Sequence, residues 1–573
     1  MGSPSRKCRR SHSRVLIPSV ASSRSTLRVS EFTENVFKWG NIEMSDLQDR
    51  INAGKWAMVE GRDVPSVLAS RVATYGSKPF MVWEPFEGES QTYSYTEFGA
   101  AVECLAGALH ARGVQIGDRV LVHLDNSPEF VISWFACARI GAVAVSTNTR
   151  SVARDMEYFA EHAGVVGAIT SPGFAQLVTD AAPKIRFLIL AATDAGTPND
   201  VSAGIEHEKF DEVLSEGSVA PERSIDPLAD LGIQFTSGTT SRPKAVLWTH
   251  ANVIWGMQMN CAHMRLTPAD VTQIFLPLFH TNAQSYSMLS TLWSGGTMVI
   301  QPRFSASRFW DVALRNKSTW ASTIPFCVKA LLGGDIPDNH HFRFWGCAVR
   351  MPEVEQRIGV TTFGWWGMTE TITQGIVGDQ DEPCAPYTIG RASPAYEINV
   401  RRPDGSHIGP GESGELFIRG IRGVSLFKEY AGNPEATRDS FDDDGWFATG
   451  DSIIMNEAGD LIFGDRLKDM LKVGAENVAA SEIESVIMAT GLVSECAVVA
   501  QPHYMLDEVP AVFLIASSSA GSDVAEQIIA ACQRDLADFK VPRTVRVVDE
   551  LPRSTLEKIA KAELRKLLDP ITE

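Results

Sequence analysis

Apolar and polar positions along residues 45–230 fall into short strand-like and helix-like blocks. Arg119 to Leu124 (RVLVHL) predicts a strand, Pro128 to Ile140 a helix, and Ala142 to Ser146 a second strand. Strand, helix and strand at this spacing make a parallel-sheet unit. Val166 to Thr170 and Phe187 to Leu190 repeat the rhythm, and Ala192 to Gly204 reads as a polar surface loop. The most apolar stretch, Val131 to Val145, is broken by Arg139 and reads as a buried helix running into a strand. No run reaches about 18 apolar residues, so no membrane span is expected.

Residues 231–462 continue the alternation. Gly409 to Gly420 (GPGESGELFIRG) is turn-rich and then strand-like, and small β-units should dominate from Ile398 to Phe463. After Arg466 the pattern restarts: helix over Glu482 to Met488, strands over Glu495 to Ala500 and Val512 to Ala516, helix over Val524 to Leu536. That is a separate α+β unit of about a hundred residues, near the common domain size. The chain therefore divides into residues 1–43, a large domain over 44–465 and a small one over 466–573. The fold class is α/β, with a β-rich subdomain in the large N-terminal domain and a small α+β domain after it.

Composition narrows the function. The 573 residues are 44% hydrophobic and 21% charged, ordinary for a soluble globular protein. A formal net charge of −18 argues against nucleic acid as a partner, because nucleic-acid binding needs a basic footprint. Nine scattered cysteines without a CxxC pair suggest a reduced compartment and neither a disulfide framework nor a zinc site. The chain reads as a cytoplasmic protein, with homo-oligomer formation open. Residues 1–43 stand apart. Met1 to Ser30 carries seven Lys or Arg residues, many serines and no acid. It reads as a disordered basic tail, as a targeting segment for organellar import, or as sequence upstream of a true start at Met44.

Candidate chemistry begins at residues 235–247, FTSGTTSRPKAVL. An apolar strand ends at Phe235. Thr236, Ser237, Gly238, Thr239 and Thr240 follow, then Arg242 and Lys244. Small residues let backbone N–H groups crowd around an anion, hydroxyls add donors, and two cations balance charge. This suits a triphosphate, although it is not the GxxxxGK[ST] loop.

The string closely resembles the phosphate loop of adenylate-forming enzymes, the family of acyl-CoA synthetases, luciferases and peptide-synthetase adenylation domains. Further motifs follow in the family's order over nearly the whole chain after residue 45. In GWWGMTE (364–370), the resemblance implies that Trp366 lies against adenine, Thr369 bonds the α-phosphate and Glu370 helps hold Mg²⁺. Gly346, Cys347 and Ala348 occupy the adenine-contacting turn. In GWFATGD, Asp451 would accept from both ribose hydroxyls, and Arg466 would add a ribose contact. Lys468 takes the hinge position about which the small domain rotates between half-reactions. Lys558, in LPRSTLEKIAKAEL, takes the place of the catalytic lysine, whose charge relieves repulsion between carboxylate and α-phosphate. His280, in PLFHTNA, would lie beside the acyl carboxylate and the mouth of the pantetheine tunnel. Gly474, in GAENV, belongs to the loop expected at the CoA tunnel.

The implied activity is an ATP-dependent acid–CoA ligase reaction. It would use a small carboxylic acid, ATP and coenzyme A as substrates with Mg²⁺, and pass through an acyl-adenylate. The stretches FTSGTTSRPK, GMTETIT and FKEYAGNPEAT are most similar to crotonobetaine/carnitine–CoA ligases. These strings serve ATP and scaffold, so the acid stays open between a carnitine-like molecule and a fatty, aromatic or alicyclic one. Ser241, Ala245, Ala475 and Glu557 stand where the family usually has glycine. They leave open a catalytically weak nucleotide-binding relative, and an adenylating enzyme with an acceptor other than CoA is the other alternative.

Overall fold

The computed structural model describes residues 53–572 apart from 197–198, 203, 237–242, 403, 467–469, 475, 518–519, 553–558 and 560. Residues 1–43 thus lie outside the described residues. So do Ser237 to Arg242, Lys468, Ala475, Glu557 and Lys558 among the positions singled out above.

Two large mixed sheets form the body of the N-terminal domain. Among the described residues the first has eight strands. Its centre orders Lys244–Thr249, Asp230–Thr236, Val143–Ser146, Arg119–His123, Val165–Thr170 and Leu188–Leu190. The middle pairs are parallel, Val122 lying opposite Ser146 and His123 opposite Thr170, as the strand–helix–strand spacing predicts. The second sheet has nine strands among the described residues and includes Trp320–Ser322, Phe344–Cys347 and Thr361–Trp366 side by side and parallel.

The sequence explains the ends of the linking helices. Pro128–Ile140 starts where the Ser127 hydroxyl accepts from the Phe130 N–H and Pro128 occupies the first turn. It stops at Gly141, whose φ of 76° is the left-handed conformation that glycine adopts without strain. Nearly every residue of this helix is buried, and Arg139 escapes by reaching Glu103. No helix among the described residues is long and apolar enough to cross a membrane.

A four-stranded antiparallel sheet, Glu397–Arg401, Ser413–Arg419, Trp446–Met455 and Leu461–Arg466, forms the β-rich subdomain. One short helix, Pro434–Asp439, interrupts the β-pattern expected there. Its start is written in the sequence: Asn433 caps the Ala436 N–H and Pro434 follows.

The small C-terminal domain begins a new sheet at Met470–Val473. Its long hairpin, Val493–His503 with Asp507–Ala516, is covered by the helices Ala480–Ala489 and Val524–Asp535. Each expected helix and strand of this domain is present, the first helix and both strands at greater length and the last helix one residue shorter. Its core, built on Ile483, Ile487, Val498, Val512, Leu514 and Ile528, is distinct from that of the large domain. The eight described cysteines are free.

Candidate active site

The strands Asp230–Thr236 and Lys244–Thr249 are antiparallel, with Thr236 directly opposite Lys244. The phosphate-loop string therefore joins the two arms of a hairpin. The second arm runs straight into the helix His250–Met264, which Thr249 caps reciprocally with Asn252. That cap and the hairpin register fix where Thr236 and Lys244 stand.

Both residues line a cleft of about 700 Å³, together with His280, Thr369 and Glu370. Five residues drawn from three separate motifs thus share one surface. Glu370 is 4% exposed, and its carboxylate accepts at 2.9 Å from the Tyr430 hydroxyl. The Thr369 carbonyl accepts from the Trp248 indole N–H at 2.8 Å, which anchors the turn to the phosphate hairpin. Beneath Thr369 runs a chain of side chains. Gln284 donates to the Leu278 carbonyl at 3.0 Å, and Gln234 donates to Gln284 at 2.9 Å. Thr281 Oγ1 lies 2.7 Å from Gln234 Oε1 and 3.0 Å from Thr369 Oγ1.

Trp366 and Asp451 are buried and bonded to each other, the indole N–H donating to Asp451 Oδ2 at 2.9 Å. Asp451 pairs in register with Arg466 across the antiparallel strands. Gly346 and Cys347 lie in the strand beside that of Trp366. A Cβ at Gly346 would come within 1.8 Å of the Trp365 ring, so close ring packing requires glycine there. Cys347 is buried against Thr323 at 3.1 Å, and Ala348 follows at the strand's end.

The small domain contributes to the same cleft through Glu476, Phe539 and Lys540. Gly474, at φ 61°, turns the chain just ahead of Glu476, and its N–H donates to the Leu506 carbonyl at 2.7 Å. Glu476 is 5% exposed, and its Oε2 accepts from both His280 and Asn148 at 3.0 Å. Burial alone would lower the His280 pKa, but the charge and hydrogen bond of Glu476 raise it above its ordinary value. In Glu476, burial is outweighed by His280, Arg150 and Asn148, and the pKa falls. Lys540, 8% exposed, pairs with Glu482 at 2.7 Å and lies 3.8 Å from Asp155 of the large domain. Arg150 covers the Phe539 ring at 4.7 Å.

Glu476, Lys540, Asn148, Asp155 and Tyr430 had no assigned role in the sequence reading. Glu476 was visible as the acid of GAENV and Tyr430 as the aromatic of FKEYAGNPEAT. Neither string shows its partner.

The described residues hold no group of three or more His, Cys, Asp or Glu side chains that could cage a metal ion. One carboxylate, Glu370, beside Lys244 and Thr236 suits a Mg²⁺ that keeps most of its water and is shared with phosphates.

Comparison with known proteins places this architecture. The AMP-binding enzyme family model matches residues 68–431, and that of the AMP-binding enzyme C-terminal domain matches residues 482–558. The chain belongs to the AMP-binding enzyme family, and within it to the adenylate-forming acyl-CoA ligases. It is 31% identical over 526 residues to the crotonobetaine/carnitine–CoA ligase of Salmonella agona (strain SL483), covering 89% of this chain and 100% of that protein. Among solved structures it resembles a double mutant of o-succinylbenzoate CoA synthetase (MenE) from Bacillus subtilis bound with the product analogue OSB-NCoA. The TM-score is 0.75 at 25% identity, over 88% of this chain and 98% of that one. Against the same Bacillus subtilis enzyme in complex with AMP, the TM-score is 0.62 at 25% identity and the same coverage.

Proposed function

We propose that this protein joins a carboxylic acid to coenzyme A at the expense of ATP, releasing AMP and pyrophosphate. The observation that carries the reading is the single cleft onto which Thr236, Lys244, His280, Thr369 and Glu370 converge, with Glu476 reaching it from the small domain.

In the first half-reaction the acid's carboxylate attacks the α-phosphorus of ATP and pyrophosphate leaves. The 236–240 loop and Lys244 hold the phosphates, while Thr369 donates to the α-phosphate. Glu370 would hold a Mg²⁺, which when bound would supply neutralisation of phosphate charge. Trp366 and the Gly346–Ala348 turn bound the adenine, and Asp451 with Arg466 holds the ribose. Lys558 lies between the two anions as they meet and stabilises the charge that develops on phosphorus. In the second half-reaction the small domain, residues 466–573, rotates about Lys468 against residues 44–465. Lys558 withdraws, and the Gly474 loop comes to the cleft. The CoA thiolate then attacks the adenylate carbonyl and AMP departs.

The contact between Glu476 and His280, and the closer likeness to the CoA-analogue complex than to the AMP complex of one relative, support assigning the described arrangement to the second half-reaction. The relative from Salmonella agona makes a quaternary-ammonium acid one candidate substrate. The aromatic-rich region near Trp345 to Trp366 suits fatty, aromatic and alicyclic acids as well.

The test incubates the protein with ATP, Mg²⁺ and CoA against a panel of quaternary-ammonium, fatty, aromatic and alicyclic acids, read by mass spectrometry. Acyl-CoA and AMP are expected with at least one class. AMP without thioester would assign a different acceptor, and no AMP with any acid would overturn the proposal.

A further inference from the structure

Tyr430 belongs to a short segment stitched to both halves of the nucleotide site. Backbone bonds run from Phe427 N–H to the Glu370 carbonyl at 2.8 Å, from Lys428 N–H to the Leu247 carbonyl at 2.9 Å, and from Ala431 N–H to the Ala245 carbonyl at 2.8 Å. Tyr430 itself sits opposite Val246 in the strand register. The segment thus ties the phosphate hairpin to the acidic turn. The Tyr430 side chain repeats that tie. Its hydroxyl donates to Glu370 Oε1 at 2.9 Å, and the Lys244 ammonium lies over its ring, 4.3 Å from the centroid. The ring is 3% exposed and wedged against Phe427, with centroids 4.7 Å apart.

We propose that Tyr430 is a positioning residue for the magnesium–nucleotide complex: one ring holds the phosphate-loop cation on its face and the metal-binding acid at its hydroxyl. The inference rests on the function proposed above. The ring face gives the ammonium an electrostatic partner that carries no full negative charge. The phenol gives the carboxylate a charge-assisted donor that fixes its plane without neutralising it.

The test measures ATP binding by calorimetry over a series of Mg²⁺ concentrations, in the full chain, for wild type, Tyr430→Phe, Tyr430→Leu, Glu370→Gln and the double variant Y430F/E370Q. Tyr430→Phe keeps the ring and the Lys244 contact and removes the donor. It should raise the half-saturating Mg²⁺ concentration at least fivefold while leaving ATP affinity at saturating Mg²⁺ and the melting temperature close to wild type. Tyr430→Leu should also weaken ATP binding at saturating Mg²⁺, because the ammonium loses its ring. Y430F/E370Q should bind no worse than E370Q alone, since the hydroxyl acts through Glu370. An unchanged Mg²⁺ profile in Tyr430→Phe, or an equal loss of ATP affinity at every Mg²⁺ concentration, would overturn the proposal and reduce Tyr430 to packing. Additive losses in the double variant would do the same. A wild-type chain that binds no ATP would instead remove the functional reading, and this inference with it.

Discussion

Glu476 of the small domain and His280 of the large domain meet at 3.0 Å across the cleft, and Asn148 bonds the same carboxylate oxygen. An ionised carboxylate only accepts, so His280 Nε2 carries the proton in this contact. Glu476→Gln should therefore let the His280 pKa fall, to below its ordinary value because burial then acts unopposed, as followed by NMR titration of the imidazole. The thioester-forming step should slow about tenfold, the scale of one charge-assisted bond, with adenylate formation little changed. An unmoved His280 titration would break this link.

The same pair sets a pH window. The His280 pKa is raised in the folded protein, so its contribution to stability is fully present below the unfolded value and is lost as pH rises through the raised one. The Glu476 pKa is depressed, so its contribution is present above the unfolded value and is lost as pH falls through the lowered one. The closed arrangement should be firmest between these limits and loosen on the alkaline side of 6.5. Small-angle scattering across pH would record it, and Glu476→Gln should flatten the alkaline response.

Lys540 is buried between Glu482 and Asp155, and burial lowers its pKa less than the two carboxylates raise it. Lys540→Met would leave two poorly solvated carboxylates without their cation. Breaking a buried pair in this way costs about 3–5 kcal/mol. Hydrogen exchange in the helix Ala480–Ala489 should accelerate accordingly, and K540M/E482Q should recover part of the loss.

Asp451 fixes the Trp366 indole and is the proposed ribose acceptor. Asp451→Ala removes both functions. Hydrogen bonds to a charged group contribute about 1.5–3 kcal/mol, so the KM for ATP should rise roughly tenfold to a hundredfold with a smaller change in kcat. Steady-state kinetics would check the split.

Gly367 admits no side chain. A Cβ there would lie 2.2 Å from the Tyr286 hydroxyl and 2.9 Å from the Thr373 carbonyl oxygen. Gly367→Ala should cost about 1–3 kcal/mol through overpacking. Tyr286→Phe in the same chain removes the nearer atom and leaves ring carbon at 3.3 Å. The double variant should regain part of the lost stability in thermal melts.

Lys558→Ala should lower adenylate formation about a hundredfold to a thousandfold, the scale of one preorganised charge contact. Conversion of supplied acyl-adenylate to thioester should persist. Equal loss of both steps, measured separately, would contradict the assigned role.

Local order was legible in the sequence wherever a short-range rule governs it. The helix Pro128–Ile140 followed from its apolar pattern, with its ends fixed by Ser127, Pro128 and Gly141, and the alternation of strand and helix pointed to the parallel sheet. The helix Pro434–Asp439 followed the same capping rule, but the surrounding β-pattern masked it. The cleft residues Thr236, Lys244, Thr369 and Glu370 stood out because motif chemistry is written contiguously. Glu476 did not, because its partner His280 is 196 positions away and only the docking of two domains brings them together. Tyr430 stayed hidden for the same reason: its hydroxyl serves a carboxylate 60 residues earlier in the chain.

The amide chain beneath Thr369 has a direction that no single residue sets. The Leu278 carbonyl can only accept, so Gln284 must turn its amide nitrogen there and its oxygen toward Gln234. Gln234 then offers its oxygen to the Thr281 hydroxyl at 2.7 Å. The same Thr281 hydroxyl also points toward Thr369 Oγ1 at 3.0 Å, with Thr369 as the acceptor. A backbone carbonyl several side chains below the cleft floor thereby dictates how the Thr281 hydroxyl is turned.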